Sequence, residues 1–379
     1  MKKKMIFVLC IAVLSICNLS LIAFAAEVTK TETVEEKIST SLKVPKFTTV
    51  SRKGKGKTTV SWSKVTKAAG YEIQYSTKKD FSGAKSLYAR SGSTTSKRIS
   101  GLSTKKDTYL RMRAYKKVEG EKYYTKWSAS AKLIVWKTSW KYAGYSKIHS
   151  DPVTLYYSYA SKKKLKKKTI AVNAGHGCKG GGSKKTLCHP NGTPKVTGGS
   201  TAAGSKYATA INSGTSLHGC SEASANLRVA KKLKERLLAK GYNVLMIRQD
   251  SNTQLDNIAR TVMANKNANC HVAIHFDSTS SNKGAFAISV PNVRSYRNMQ
   301  PVKSHWRQHN KLGSDLVKGL RSAGVKIFGS GSMAIDLTQT SYSTVPSVDI
   351  EVGDQATSTS DKNLGKIANG LAKGIDRYY

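Results

Sequence analysis

Four residues of this 379-residue chain are of types that do hydrolytic chemistry, and each falls at the end of an expected element: His176, Glu222, His275 and Glu351. Two imidazoles and one carboxylate offer neutral nitrogen and anionic oxygen. A borderline ion such as Zn2+ takes those donors, and three protein ligands leave a fourth position for water. Zinc would lower the pKa of that water toward neutrality and polarise a carbonyl. A second carboxylate could then act as general base and pass the proton to a leaving amine. Spacing along the chain does not by itself bring the four together.

His176 closes the run Ile170-Ala-Val-Asn-Ala-Gly-His-Gly177. That run reads as a short buried strand ending in a histidine between glycines, which free the backbone to turn sharply and expose the ring. The carboxyl end of a strand is where open α/β sheets place their chemistry. Other residues compete for the roles. Asp349 shares a strand face with Glu351, because the side-chain period is two, and is the alternative base. His189 and His218 could each replace a ligand. His305-Trp-Arg-Gln-His309 has the spacing of a helical zinc pair but carries no glutamate, and reads as an exposed helix edge. Arg248 and Arg260 read as partners of scaffold carboxylates. Asp277 could orient a ligand ring.

The elements that must position these residues alternate. After the strand from Thr169 come a glycine-, serine- and lysine-rich insert (Cys178 to Cys220), then a helix opened by Glu222 and stopped by Gly241. A strand follows at Asn243–Arg248, a helix at Leu255–Asn267 and a strand at Cys270–His275. A helix at Trp306–Ala323, a strand at Val348–Val352 and a helix at Asp361–Tyr378 complete the chain. The pattern predicts an α/β domain over 169–379, with a mostly parallel sheet flanked by helices. Residues 43–137 differ. Thr58–Trp62, Tyr71–Tyr75 and Tyr109–Tyr115 alternate between polar turns, which predicts an all-β sandwich. Residues 138–168 form a Tyr- and Lys-rich connector ending in Ser161-Lys-Lys-Lys-Leu-Lys-Lys-Lys168, either a solvated linker or a polyanion contact.

The first 25 residues read as a signal peptide: Lys2 to Lys4, an apolar run from Met5, and Ala23-Phe-Ala25 as the cleavage site. A polar linker, 26–42, follows. No later stretch is apolar enough to span a bilayer, so the mature chain is expected to be secreted and held at the cell wall. Net charge is +42, and removal of three signal lysines leaves +39. No Asp or Glu occurs between Asp151 and Glu222. Such a field attracts polyanions. With no base-reading motif, the expected partner is an anionic wall polymer rather than a specific nucleic acid. Cys178, Cys188, Cys220 and Cys270 remain after cleavage. In an oxidising compartment they suggest two disulfides, pairing unspecified, with free buried thiols as the alternative.

Two resemblances sharpen these expectations. In its order of features, residues 43–137 resemble a fibronectin type III domain: Trp62, then Tyr71 to Tyr75, Gly101-Leu102, Tyr109, and Tyr123-Tyr-Thr-Lys-Trp127-Ser128. The C-terminal region resembles the zinc-dependent N-acetylmuramoyl-L-alanine amidases of the amidase-3 type. Four motifs carry that likeness in order. They are Ile170 to Gly177, Glu222-Ala-Ser-Ala-Asn226-Leu227, Arg260 to Asn265 followed by Ala273-Ile-His275, and Pro346 to Glu351 with Gly353. The resemblance implies His176, Glu222 and His275 as zinc ligands, Glu351 as the catalytic carboxylate and peptidoglycan as substrate. Asn173, Ala273 and Asp277 depart from that family's pattern, and 46 positions between His176 and Glu222 exceed its usual spacing; the insert is expected as a lid or a disordered loop. A zinc peptidase acting on the stem peptide is the closest rival, and a non-catalytic wall-binding protein the second.

Overall fold

A computed structural model describes residues 41–52 and 54–379. The segment read as a signal peptide, 1–25, and nearly all of the expected 26–42 linker lie outside the described residues. Eight strands come first: β1 (Phe47–Arg52), β2 (Thr58–Trp62), β3 (Gly70–Ser76), β4 (Lys85–Ala89), β5 (Ser96–Ile99), β6 (Thr108–Val118), β7 (Glu121–Tyr124) and β8 (Ala131–Ile134). All pair antiparallel. β1, β2 and β5 form one small sheet, and β4, β3, β6 and β8 form the start of another. Val60 and Trp62 of one layer and Tyr71, Ile73 and Met112 of the other share one apolar cluster.

The connector supplies β9 (Val153–Tyr156). Beyond it lie β10 (Thr169–Ala174), β11 (Lys185–Leu187), β12 (Tyr207–Thr209), β13 (Ser216–Leu217), β14 (Cys220–Ser221), α1 (Glu222–Ala239), β15 (Asn243–Met246), α2 (Asn257–Asn267) and β16 (Cys270–Asp277). The chain ends with β17 (Ala285–Ser289), α3 (Arg294–Asn298), α4 (Val302–Ser322), β18 (Ile327–Ala334), α5 (Thr338–Tyr342), β19 (Ser347–Asp354) and α6 (Asp361–Tyr378). No helix among the described residues is long and apolar enough to cross a membrane.

The strand order is β18-β17-β19-β16-β10-β15-β9. The central four, β19, β16, β10 and β15, are parallel. Two pairings correct the expectation of a mostly parallel sheet: β17 runs antiparallel to β19, and β9 antiparallel to β15. The sheet is mixed, because the flanking strands come from segments with no helical crossover before them. Along β10 the pleat sends Ile170 and Val172 toward α1, and Ala171 toward α2. Burial on both faces explains why this strand reads as an unbroken apolar run.

β9 also pairs with β8, so the N-terminal β layer and the α/β sheet form one continuous sheet. Side chains reinforce the join. Tyr156 Oη accepts from Val50 N at 2.8 Å, and the buried Lys234 Nζ donates to Thr48 O at 2.6 Å. The apolar cluster runs unbroken from Phe47 to Ile375. A shared sheet and a shared core make the two regions one cooperative unit. Scanning calorimetry of the chain should therefore show a single unfolding transition; two resolved transitions would refute the coupling.

Candidate active site

The parallel strands β10 and β16 bring His176 and His275 to the carboxyl edge of the sheet, and α1 begins there with Glu222. His176 Nε2 lies 2.9 Å from Glu222 Oε1, and His275 Nδ1 lies 3.0 Å from both atoms. These donors form the one group among the described residues able to hold a metal ion. Their hydrogen bonding shows why a cation fits. His176 Nδ1 lies 3.0 Å from Asn212 O and donates to it, so Nε2 presents its lone pair. Glu222 Oε1 is also an acceptor. The His176 Nε2 lone pair and the anionic Glu222 Oε1 thus converge on His275 Nδ1, and a positive charge among the three suits them all. Glu222 is anchored by Thr215 N (3.0 Å), Asn226 Nδ2 (3.2 Å) and Phe276 N (3.2 Å).

Electrostatics agree. Burial alone would raise the Glu222 carboxyl, but His176 and His275 hold it far below the ordinary carboxylate range. Burial opposes charge on His275, yet Asp349, Glu222 and Glu351 push its pKa up to about 10. That surplus of negative field is what a divalent ion would neutralise. Packing is equally tight. A Cβ at Gly175 would stand 2.2 Å from the His275 ring, and one at Gly214 would stand 2.7 Å from both Glu222 Oε2 and His176 Cδ2.

His176 itself has φ +61°, a strained value for a residue with a side chain. Two buried arginines hold it there. Arg260 donates to His176 O (2.6 Å), Ala174 O (3.0 Å), Leu255 O (2.9 Å) and Asn173 Oδ1 (3.1 Å). Arg248 donates to Ala174 O (3.0 Å), Gly175 O (3.0 Å), Ala223 O (2.6 Å) and Asp250 O (2.8 Å). The expected carboxylate partners are not what these side chains bind: both guanidinium groups are spent on carbonyls around the histidine turn. Burial pulls the pKa of Arg248 down to about 9 and that of Arg260 to about 10, so both stay charged at neutral pH.

The triangle opens into a cleft of about 590 Å³ whose lining includes Asp349, Glu351, Asp277 and residues 198–201, 208–209 and 211–215 of the insert. Glu351 lies on β19 directly opposite His275 on β16. Its Oε2 is buried without a protein partner, as is Asp349 Oδ1. Burial first, then the neighbouring Asp349, raises the Glu351 pKa well above the usual value. Asp349 Oδ2 lies 3.6 Å from His275 Nε2.

Residues 170–377, more than half of the chain, match the family of N-acetylmuramoyl-L-alanine amidases. The chain belongs to that family. Solved structures it resembles include an N-acetylmuramyl-L-alanine amidase, Ami1, from Mycobacterium smegmatis (18% identity, TM-score 0.47, covering 57% of this chain and 98% of that one). Another is the catalytic domain of the amidase CwlV from Bacillus (Paenibacillus) polymyxa var. colistinus (20% identity, TM-score 0.38, 56% and 97%). A third is the CwlD amidase from Clostridioides difficile, in complex with the GerS lipoprotein (19% identity, TM-score 0.37, 56% and 98%). No curated protein matches the chain.

Within this amidase region the rival residues are accounted for. His218 is exposed. His189 Nε2 pairs with the buried Asp336 Oδ2 at 3.0 Å and is no ligand. His309 is buried rather than on an exposed edge; its Nδ1 accepts from Ser347 N at 2.8 Å, and burial takes its pKa down to about 3. Asp277 pairs with Lys283 Nζ at 2.6 Å instead of a ligand ring. All four cysteines are free, which corrects the expected disulfides. The insert is ordered by another anchor. Asp336 receives Lys195 Nζ (3.0 Å), Val196 N (2.7 Å), Thr197 N (3.1 Å) and the Thr197 hydroxyl, and two small hairpins, β11–β12 and β13–β14, complete the loop.

Sequence reasoning passed over Asn212, Thr215 and Asp336. Asn226 had a signal, since it stands one helical turn after Glu222 and faces the same way. The others act through contacts no local pattern encodes. Arg260→Lys keeps the charge but cannot reach four acceptors from one fork. At about 1.5–3 kcal/mol for each charge-assisted bond lost, it should destabilise the fold by about 3 kcal/mol or more. Urea denaturation measures this; a loss under about 1 kcal/mol would show that the clamp is dispensable.

Proposed function

We propose that the chain hydrolyses the amide between the N-acetylmuramoyl lactyl group and L-alanine in peptidoglycan. His176, Glu222 and His275 would hold Zn2+, and Glu351 would serve as general base. One observation carries the reading: two imidazole nitrogens and a carboxylate oxygen converge within about 3 Å, in the cleft of a chain from an amidase family. Zinc, when bound, supplies an electrophile for the carbonyl and acidifies a water. The chain's own residues do the rest. Asn212 O fixes the tautomer of His176, and Thr215 N, Asn226 and Phe276 N fix the carboxylate of Glu222. Glu351 takes a proton on a carboxylate whose raised pKa lets it hold that proton and then deliver it to the alanine nitrogen.

The remaining readings extend this one. Residues 1–25 are read as a signal peptide and residues 43–137 as a fibronectin type III-like module. The mature charge of +39 suits a protein working among anionic wall polymers outside the cell.

Purified peptidoglycan digested with the protein should release stem peptides with a free L-alanine amino terminus, read by mass spectrometry. Cuts within the stem peptide would identify a peptidase instead. His176→Ala and His275→Ala should each lose zinc by elemental analysis. Glu351→Gln should keep zinc while turnover falls by about 10²-fold or more. Near-normal turnover in that variant would remove Glu351 from the role.

Wall binding should be electrostatic. Screening shortens to about 3 Å at 1 M salt, so pull-down with isolated walls should fail there and succeed at about 0.05 M. Retention at both concentrations would refute a charge-based association.

A further inference from the structure

We propose that Asp349 is a positioning residue for the metal site, holding the His275 ring from behind so that Nδ1 points at the donor triangle. This rests on the zinc-site reading above. β19 runs parallel to β16 with Ala273 opposite Asp349 and His275 opposite Glu351. Residues two apart on a strand share a face, so both carboxylates stand on the side of the sheet that carries His275. Their placement around the imidazole differs. His275 Nδ1 faces His176 Nε2 and Glu222 Oε1 at 3.0 Å, while Nε2, across the ring, faces Asp349 Oδ2 at 3.6 Å. Asp349 has no other ionic partner among the described residues, and its Oδ1 is buried with no hydrogen bond. A recessed carboxylate without a cation is costly to keep. The cost has a use if the imidazole it faces is bound to a metal through its far nitrogen: the carboxylate then fixes the tautomer and ring orientation and makes the ligand more basic. From that side of the ring Asp349 acts through His275, which leaves the proton transfer to Glu351.

Two variants separate the parts of the role. Asp349→Asn keeps an acceptor for Nε2–H but loses the charge; Asp349→Leu loses both. Zinc affinity, measured by competition with a chromophoric chelator, should fall by about 10-fold in the first and up to about 100-fold in the second. The visible spectrum of the cobalt-substituted protein should shift in the same order, and kcat at saturating zinc should fall less than in Glu351→Gln. Thermal melts of the metal-free variants confirm folding, with Asp349→Ser used if the leucine variant fails to fold. Unchanged zinc affinity and cobalt spectrum would overturn the proposal, whether kcat collapses (a direct base) or holds (a bystander). His176→Ala is the control. If it loses zinc while Asp349→Leu does not, only this inference fails; if the unaltered protein binds no zinc, the site reading fails first.

Discussion

The site depends on a histidine turn that the backbone would not adopt unaided. At φ +61°, His176 pays a conformational cost of about 1–3 kcal/mol. Four carbonyls, those of Ala174, Gly175, His176 and Ala223, must also find donors away from water. Two guanidinium groups meet both demands at once. Each is planar and offers several donors in a fixed fork, so each can bind carbonyls on several segments and set their relative positions. Asn173 matters for the same reason. Its neutral oxygen accepts from Arg260 without cancelling the charge, so the guanidinium keeps its full pull on the carbonyls. The turn, the start of α1 and the end of β10 are thereby fixed as one body.

The insert solves a related problem with a single carboxylate. Asp336 is fully buried, yet His189, Lys195, Val196 and Thr197 all converge on it. Burial would raise its pKa, but these donors hold it far below the usual range, so it stays charged and bound. A glycine-rich loop that could not pack a core of its own is thus nailed near its middle. Its later half then brings Asn212 to His176 and Thr215 to Glu222. The two ends of the loop carry cysteines, but the structure holds them as free thiols and relies on ion pairing instead.

Much of this was legible in the chain. The four residues proposed for chemistry do meet at one cleft, because strand ends and a helix start are local features that periodicity and capping residues encode. The helix from Glu222 and the closing helix from Asp361 begin where the sequence places them. Residues whose partners lie far along the chain were misread. Arg248 and Arg260 suggested carboxylates, since nothing local reveals that a guanidinium will be used on backbone. His309 suggested an exposed edge, because Ser347, its donor, is 38 residues away. β9 and β17 are short, and strand direction is set by neighbours rather than by composition, so the mixed character of the sheet was not readable.

The short strand Val153–Tyr156 has a mechanical consequence. Modules joined by a flexible tether sample many bearings, and a ligand gripped by one is only loosely presented to the other. Here a ladder of backbone hydrogen bonds replaces the tether. The β layer and the cleft keep one distance and one angle, like the fence and blade of a saw. Whatever enters the cleft therefore meets the β layer at one fixed offset, set by the sheet itself.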